Sequence, residues 1–288
     1  MAPKLGIIVL NYNNFTDTKL CINSIENLGD MPNHEIFLVD NASPDQSGQR
    51  LAKEFQKITY IQNELNTGYN GGNNLGIKVA KEKGCNLFLL LNNDTIVKTS
   101  DSIKILIQKL YYSDFGICGF KQINLETNVI SSTKTRSFFF TLLNKFLVLP
   151  QTDLNYLSGF ALGISIDTIN KIGLLPESYF MYFEEQHFCY KARLNQIKIC
   201  EIEDPNLGIL RKADKKSLKP YYWYYNVRNG LYFLSDLPLT KFQFGISSIC
   251  LIILQLKIII ANRNLKSNIK AYSRGILDFY KKKKYKSY

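Results

Sequence analysis

Short apolar runs alternate with stretches of helical spacing through the first 120 residues of the chain. Leu5–Leu10, Glu35–Val39, Ile58–Ile61, Leu87–Leu91 and Phe115–Gly119 read as strands, being short and rich in Ile, Val, Leu and Phe. Between them Thr16–Asn27, Ser47–Phe55, Gly72–Lys83 and Asp101–Tyr111 carry apolar residues three and four apart, as a helix with one buried stripe does. Asp101 stands as the cap ahead of Ile103, Leu106, Ile107 and Leu110. The alternation predicts an α/β fold, a doubly wound and mostly parallel sheet with helices on both faces. Such sheets bind ligands beyond the carboxyl ends of their strands, so the residues following each run carry the functional question.

Three of those ends are unusually polar. Leu10 leads into Asn11-Tyr12-Asn13-Asn14, Val39 into Asp40-Asn41-Ala42-Ser43-Pro44-Asp45, and Leu91 into Asn92-Asn93-Asp94-Thr95. Any one of these is consistent with turn and capping chemistry. Three opening at one edge of one sheet predict a polar pocket. The stretch Asn66-Thr67-Gly68-Tyr69-Asn70-Gly71-Gly72-Asn73-Asn74-Leu75-Gly76 fits neither the P-loop nor the dinucleotide fingerprint. It reads either as a glycine turn whose N–H groups approach a phosphate at a helix start, or as a tight loop with a glycine cap.

From about residue 121 to 156, including Phe138-Phe139-Phe140, the pattern is irregular. Order returns at Leu157-Ser158-Gly159-Phe160-Ala161. Glu184 and Glu185 then begin a helix whose Phe188, Ala192 and Leu194 are expected to face the core. Acids in a first turn suit the helix dipole, and beside a pocket one of them is a candidate general base.

Composition adds two constraints. With 45% hydrophobic and 21% charged residues the chain is an ordinary globular one, which excludes wholly disordered, collagenous and coiled-coil proteins. Its net charge is +12, but residues 257–288 hold ten Lys or Arg and one acid, leaving only +3 on the rest. A basic tail follows a nearly neutral body. The six cysteines are scattered without CxxC or metal-ligand spacing and read as buried free thiols. The apolar N-terminal run meets Asn-Tyr-Asn-Asn rather than small cleavage-site residues, so it reads as a strand and the expected compartment is the cytoplasm.

The segments IIVLNYNN, VDNASPDQS, NTGYNGGNNLGI, LLLNNDT, LSGFAL, GLLPESYFMYFEEQHFCYKARLNQIKI and YYNVRNGLYFL, in that order, resemble glycosyltransferase family 2. The likeness is greatest to rhamnosyltransferase-like members that build bacterial surface polysaccharides. The resemblance implies the GT-A fold, a nucleotide-sugar donor such as a UDP- or dTDP-sugar, and inverting transfer to a hydroxyl of a growing, lipid-linked glycan. It also implies roles. Asp40 receives the nucleotide base with Asn11, Asn13, Asn41 and Ser43; Gly71, Gly72 and Asn73 lie along ribose and diphosphate. Asn93 and Asp94 occupy the place of the family's Asp-x-Asp-like motif, with Asp94 the ligand of Mg²⁺ or Mn²⁺, a hard cation that neutralises a departing diphosphate. Glu185, or Glu184 beside it, is the base. The chain departs from the family in reading Glu184-Glu185-Gln186-His187 for Glu-Asp-x-Asp. It also reads Arg211 where many relatives place a histidine, and a guanidinium there suits a diphosphate.

By the same reading residues 1–120 form the nucleotide-sugar half, 121–218 the acceptor and catalytic half, and 219–288 an aromatic and basic helical extension. Phe242–Leu256 runs 15 residues without a charge, about 22 Å of helix against a hydrocarbon core of about 30 Å. Extension through Lys257 to Ala261 reaches a spanning length at the cost of one lysine. A helix lying in the membrane interface is the favoured reading over a span, and a buried core helix also fits. With Lys266, Lys270, Arg274, Lys281–Lys284 and Lys286, residues 242–286 form a candidate surface for anionic lipid. The competing readings are a catalytically impaired relative that only binds, a basic nucleic-acid-binding module, and a nucleotidylyltransferase. The charge confined to the tail, the lack of a nucleic-acid motif and the lack of a glycine-rich, lysine-containing N-terminal loop count against the last two, so no nucleic-acid partner is expected.

Overall fold

The structure is a computed structural model that describes residues 2–124, 126–135, 155–203, 209–211, 219–260 and 265–286. Its centre is a seven-stranded sheet. The strands are β1 (Leu5–Asn11), β2 (His34–Asp40), β3 (Thr59–Gln62), β4 (Leu87–Asn92), β6 (Ile117–Phe120), β11 (Ala161–Ser165) and β12 (Ile199–Ile202), in the order β12-β6-β11-β4-β1-β2-β3. All neighbours pair in parallel except β11, which runs antiparallel to both β4 and β6. The register sets Asn11 opposite Asp40 and Leu10 opposite Asn92, so the three polar strand ends lie side by side.

Side-chain alternation along β1 sorts the core into two layers. Leu5, Ile7 and Val9 point to one face, where they meet Cys21 and Ile25 of α1 (Phe15–Glu26) and Ile103 and Leu106 of α4 (Ser100–Ile107). Ile8 points to the other. There it joins Ile77 and Ala80 of α3 (Gly68–Glu82), Ile169 and Ile172 of α5 (Ile166–Ile172), and Phe188 and Ala192 of α6 (Glu184–Leu194). The helix α2 (Ser47–Glu54) covers β2 through Leu51. Strands buried on both faces need continuous apolar sequence, as LGIIVL and LFLLL supply.

Four expectations are corrected. The third helix begins at Gly68, not Gly72, so the glycines lie inside it: an alanine Cβ at Gly76 would sit 2.5 Å from Ile8 Cγ2, and one at Gly72 would overlap Leu10. They let α3 lie close on the sheet. The cap of α4 is Thr99, whose hydroxyl accepts from the Asp101 N–H at 3.3 Å, and the helix passes into a π-turn at Gln108–Tyr112. Leu194 ends α6 at 57% exposure, while Cys189 and Tyr190 are buried instead. Within the irregular stretch, β7 (Gln122–Asn124), β8 (Ile130–Ser131), β9 (Lys134–Thr135) and β10 (Tyr156–Leu157) are present; Phe138-Phe139-Phe140 lie outside the described residues. A second sheet combines β7 and β8 with β5 (Thr95–Ile96) and β13 (Ile209–Arg211), and β9 pairs with β10.

Three helices close the chain: α7 (Pro220–Asp236), α8 (Lys241–Ile260) and α9 (Leu265–Tyr280). Trp223, Val227, Leu231 and Leu234 of α7 join Leu251 and Ile259 of α8 and Tyr272 of α9 in their own apolar cluster, which also takes Tyr179, Phe183 and Tyr190. Gly275 lets α9 cross α7 closely, a Cβ there falling 2.5 Å from the Tyr224 carbonyl. All six cysteines are free thiols.

Candidate active site

The ends of β1 and β2 are joined by a buried polar network. Asn11 Nδ2 donates to Asp40 Oδ1 (2.8 Å) and Ser47 Oγ (2.8 Å), and Asn11 Oδ1 accepts from Thr18 Oγ1 (2.9 Å). Asp40 also accepts from Ser43 Oγ (2.5 Å), from the Ser43 N–H (3.1 Å) and from Gln62 Nε2 (3.0 Å). Gly48 stands against the Asp40 side chain with no room for a Cβ. A carboxylate with this many donors is held in one orientation at the strand end. Asn13, with φ 52°, lies at the rim: its N–H donates to Ser43 Oγ (3.0 Å) and its side chain accepts from the Asp45 N–H.

Asn41 serves a second network that ties β2 to the entry of α3. Its Nδ2 donates to the Gly68 carbonyl (2.9 Å) and Asn66 Oδ1 (3.1 Å), and its Oδ1 accepts from Asn63 Nδ2 and the Thr67 N–H. Asn73 donates to the Tyr69 carbonyl (2.9 Å) inside α3 and is 1% exposed, like its buried neighbours Gly71 and Gly72. Asn74 and Asn70 donate to the carbonyls of Leu175 and Pro176. Asn70 and Asn74 thus fasten the loop at Leu175–Pro176 to α3.

At the end of β4, Asn93 Nδ2 donates to Thr18 Oγ1 (2.8 Å), and Thr95 Oγ1 donates to the Asn92 carbonyl. Asp94 sits in the β4–β5 turn, near enough to Cys21 for its charge to add to the burial that pushes the thiol up to about 12. Arg211 ends β13 with its backbone opposite Thr95 and Asn124; its side chain lies outside the described residues. Among the described residues no group of three or more His, Cys, Asp or Glu is placed to hold a metal ion. The donor set at Asp94, one carboxylate next to asparagines, fits a hard cation that draws its other ligands from substrate phosphates and water; it does not fit one held by protein alone.

Beside Asn92 opens a cavity of about 520 Å³ that brings Glu184 and Glu185 together with Tyr69, Gly159, Tyr182 and Tyr222. Glu185 Oε1 accepts from the Gly159 N–H (3.0 Å), and Tyr69 Oη donates to the Gly159 carbonyl (2.5 Å). A Cβ at Gly159 would lie 2.5 Å from Glu185 Oε1 and would push the carboxylate from this position. Glu184 is 4% exposed, and its Oε2 has no hydrogen-bond partner among the described residues. Burial, reinforced by the charge of Glu185, holds the Glu184 carboxyl well above the usual carboxylate range. His187 turns away from the cavity: its Nε2 is 3.5 Å from Asp236 Oδ2 on α7, and burial lowers its pKa.

The approach to these acids is strained. Phe180 (φ 65°, ψ −54°), Tyr182 (φ 66°) and Phe183 (φ 72°) all carry left-handed φ values. Such positions cost about 1–3 kcal/mol each and persist where their surroundings over-determine them. In the sequence alone residues 179–183 carry no assigned role, nor do Tyr69, Gly159, Thr18 and Ser47. The strand-end positions were marked by their polarity, whereas these residues are marked only by the neighbours that folding brings to them.

A mostly parallel α/β sheet with a polar network at its carboxyl edge and a carboxylate-bearing cavity beside it has the form of an enzyme that takes its substrate at that edge. Residues 6–165 match the profile described as "Glycosyl transferase family 2", and the chain belongs to that family and is a glycosyltransferase. It is 30% identical over 217 residues (71% of this chain, 67% of the relative) to the "Low-salt glycan biosynthesis hexosyltransferase Agl10" of Haloferax volcanii. The S. aureus TarS 1–349 structure with UDP-GlcNAc superposes with TM-score 0.60 at 17% identity, covering 97% of this chain and 81% of that one. The mannosyltransferase PcManGT of Pyrobaculum calidifontis, with GDP-Man and Mn²⁺, gives TM-score 0.58 at 12% identity, covering 98% and 82%. The fold is GT-A, with a C-terminal helical region that includes one apolar helix.

Proposed function

We propose that this glycosyltransferase moves a hexosyl group from a nucleoside-diphosphate sugar, a UDP- or dTDP-sugar, onto a hydroxyl of a growing glycan, inverting the anomeric centre. The observation that carries this reading is Glu185 anchored by the Gly159 N–H in a cavity that reaches the end of β4. Glu185 takes the proton of the acceptor hydroxyl. The acceptor oxygen attacks the anomeric carbon from the side opposite the phosphate, the bond from that carbon to the diphosphate oxygen breaks, and the nucleoside diphosphate leaves with the electron pair. Two neighbouring carboxyls, one of them raised well above the usual range by burial, take separate roles. The buried Glu184 stays neutral, which leaves the negative charge to Glu185. Asp40, with Asn11, Asn13 and Ser43 around it, is the receptor for the nucleotide base. Gly72 lets α3 lie against Leu10 of the sheet, whereas Gly71 packs on Thr67 and Asn73 donates to the Tyr69 carbonyl, an arrangement that fixes the turn proposed to lie along ribose and diphosphate.

Asp94, with Asn93 beside it, would hold Mg²⁺ or Mn²⁺, and such a cation supplies charge neutralisation for the diphosphate. The Mn²⁺ in the PcManGT complex and the hexosyltransferase name of the Haloferax relative support this choice of chemistry. The test is a thermal-shift panel of UDP, dTDP, GDP and CMP with and without Mn²⁺, on the wild type and Asp94→Asn. Ligand at 100 times its Kd adds about 2.7 kcal/mol, several degrees in Tm. A Mn²⁺-dependent shift with UDP or dTDP that is absent in Asp94→Asn supports the assignment; a Mn²⁺-independent shift transfers the diphosphate role to Arg211, and no shift refutes the nucleotide-sugar reading.

The lipid-linked acceptor and a place at the inner face of the cell membrane belong to the same proposal. The 20-residue α8 has mean hydropathy 2.0, yet only 22% of its apolar window is buried. Phe242, Ile249, Ile253 and Ile260 are exposed, and exposed Lys257, Lys266, Lys270, Arg274 and Lys281–Lys284 accompany them. Apolar residues flanked by cations suit a helix lying in an anionic interface. Flotation with phosphatidylglycerol vesicles should retain the wild type and lose Phe242→Ser/Ile249→Ser/Ile253→Ser; equal retention refutes the interface.

A further inference from the structure

The segment that delivers Glu184 and Glu185 to the cavity is held from beneath by two polar residues in the most buried part of α7. Arg228 and Asn229 are both 0% exposed. Asn229 Nδ2 donates to three carbonyls of the strained segment, those of Tyr179 (2.9 Å), Met181 (2.7 Å) and Tyr182 (3.0 Å). Arg228 Nη2 donates to the Tyr179 carbonyl as well (3.1 Å), and its Nε orients Asn229 through Oδ1 (3.0 Å). The intervening carbonyl, that of Phe180, accepts from the Tyr69 N–H of α3 (2.9 Å). Four consecutive carbonyls are therefore taken, and around Phe180 the backbone closes a γ-turn in which the Met181 N–H donates to the Tyr179 carbonyl (2.8 Å).

The chain's basic end enters the same arrangement. Arg228 Nη1 donates to the Tyr285 carbonyl (2.9 Å), the Tyr285 N–H donates to the Ser178 carbonyl (2.9 Å), and Tyr232 Oη donates to the Lys283 carbonyl (3.1 Å). The guanidinium thus bridges the acid-bearing segment and residue 285 through neutral oxygens, stacked on Tyr225 at 4.9 Å. A side chain chosen only to fill the centre of α7 would be apolar, because a buried cation without compensating acceptors is costly.

We propose that Arg228 and Asn229 are positioning residues for Glu185, with Tyr285 as a third point, and that their hydrogen bonds keep residues 179–183 in the strained conformation that aims the carboxylate. The proposal rests on Glu185 being the base. A displacement of about 1 Å at a reacting group costs on the order of 10²-fold in rate, so the clamp acts on turnover while leaving the nucleotide network at Asn11 and Asp40 untouched.

The test uses the full chain as wild type, Asn229→Ala and Arg228→Lys, the last retaining charge and stem while losing the forked donors. Hydrogen exchange read by mass spectrometry should quicken at least 10-fold in peptides spanning 178–186 of Asn229→Ala, with peptides of β1, β2 and β4 unchanged. With UDP-glucose, UDP-GlcNAc, dTDP-rhamnose and GDP-mannose as donors, kcat should fall 10- to 100-fold, donor KM should move less than about 2-fold, and the pH of half-maximal kcat should shift. If Asn229→Ala does not fold, Arg228→Lys carries both measurements. Unchanged exchange overturns the clamp. Faster exchange with unchanged kcat and pH profile overturns its role in positioning. A wild type that turns over none of the four donors defeats the reading of Glu185 instead, and exchange still decides the clamp.

Discussion

Replacing Glu184 by glutamine removes a buried titratable group while keeping the side chain's shape. In the unfolded chain this carboxyl titrates near its ordinary 4.5; in the folded chain burial, and then the Glu185 charge, raise it well above that. Between the two values the native state holds a proton that the unfolded state has released, so rising pH favours unfolding. The Glu184 carboxyl is thus best tolerated at or below about pH 4.5, and it costs up to about 1.4 kcal/mol for each further pH unit until the folded value is reached. Glutamine carries no such dependence. At pH 6.5 the variant should be more stable than the wild type by no more than about 3 kcal/mol beyond any constant offset, or roughly 5 °C in Tm for a chain this long. Urea denaturation at pH 5, 6, 7 and 8 and constant ionic strength reads the difference, which should widen with pH and then level off. Parallel curves would refute the buried neutral carboxyl. A wild type that gains on the variant as pH rises would mean that Glu184 is ionised in the fold and held by the N-terminus of α6.

Three further outcomes follow from the site. Glu185→Gln keeps the oxygen that accepts from the Gly159 N–H but cannot take a proton; transfer should fall about 10²- to 10⁴-fold with UDP affinity by calorimetry unchanged, and a loss under 10-fold would move the base elsewhere. Asp40→Asn turns an acceptor of four hydrogen bonds into one that must donate among donors, so it should cost about 1–3 kcal/mol in urea unfolding and about 10-fold in nucleotide affinity; unaltered affinity would separate Asp40 from the base site. Gly76→Ala would place a Cβ 2.5 Å from Ile8 Cγ2 and 3.1 Å from Val39 Cγ2, and crowding of about 1–3 kcal/mol should outweigh the roughly 1 kcal/mol gained in helix propensity. A stabilised variant would show that α3 has slack against the sheet.

What the sequence made legible follows from how local each signal is. The strands β1, β2 and β4 could be read because burial on both faces forces an unbroken apolar run, and the polar residues after them because nothing apolar follows when a strand opens to a ligand edge. The start of α3 could not. Glycine and asparagine are poor helix formers, and Gly72 and Gly76 are there because the sheet beneath leaves no room for a Cβ, a tertiary cause that overrides propensity. The reversed strand β11 has five residues, all buried and without alternation, so periodicity alone does not separate it from a helix turn or a loop.

The acids at 184 and 185 were visible as residues, but which of them is buried depends on Gly159, 26 positions away from Glu185 in sequence, and on the left-handed turn at Phe183. Arg228 and Asn229 mark the limit of local reading. They sit inside a run of aromatic residues, and the carbonyls they donate to lie 47 to 57 positions away at residues 179, 181, 182 and 285. A helix that buries an arginine and an asparagine at adjacent positions spends packing on orientation. The segment whose carbonyls they hold leads directly into Glu184 and Glu185 at the cavity beside the sheet's polar edge.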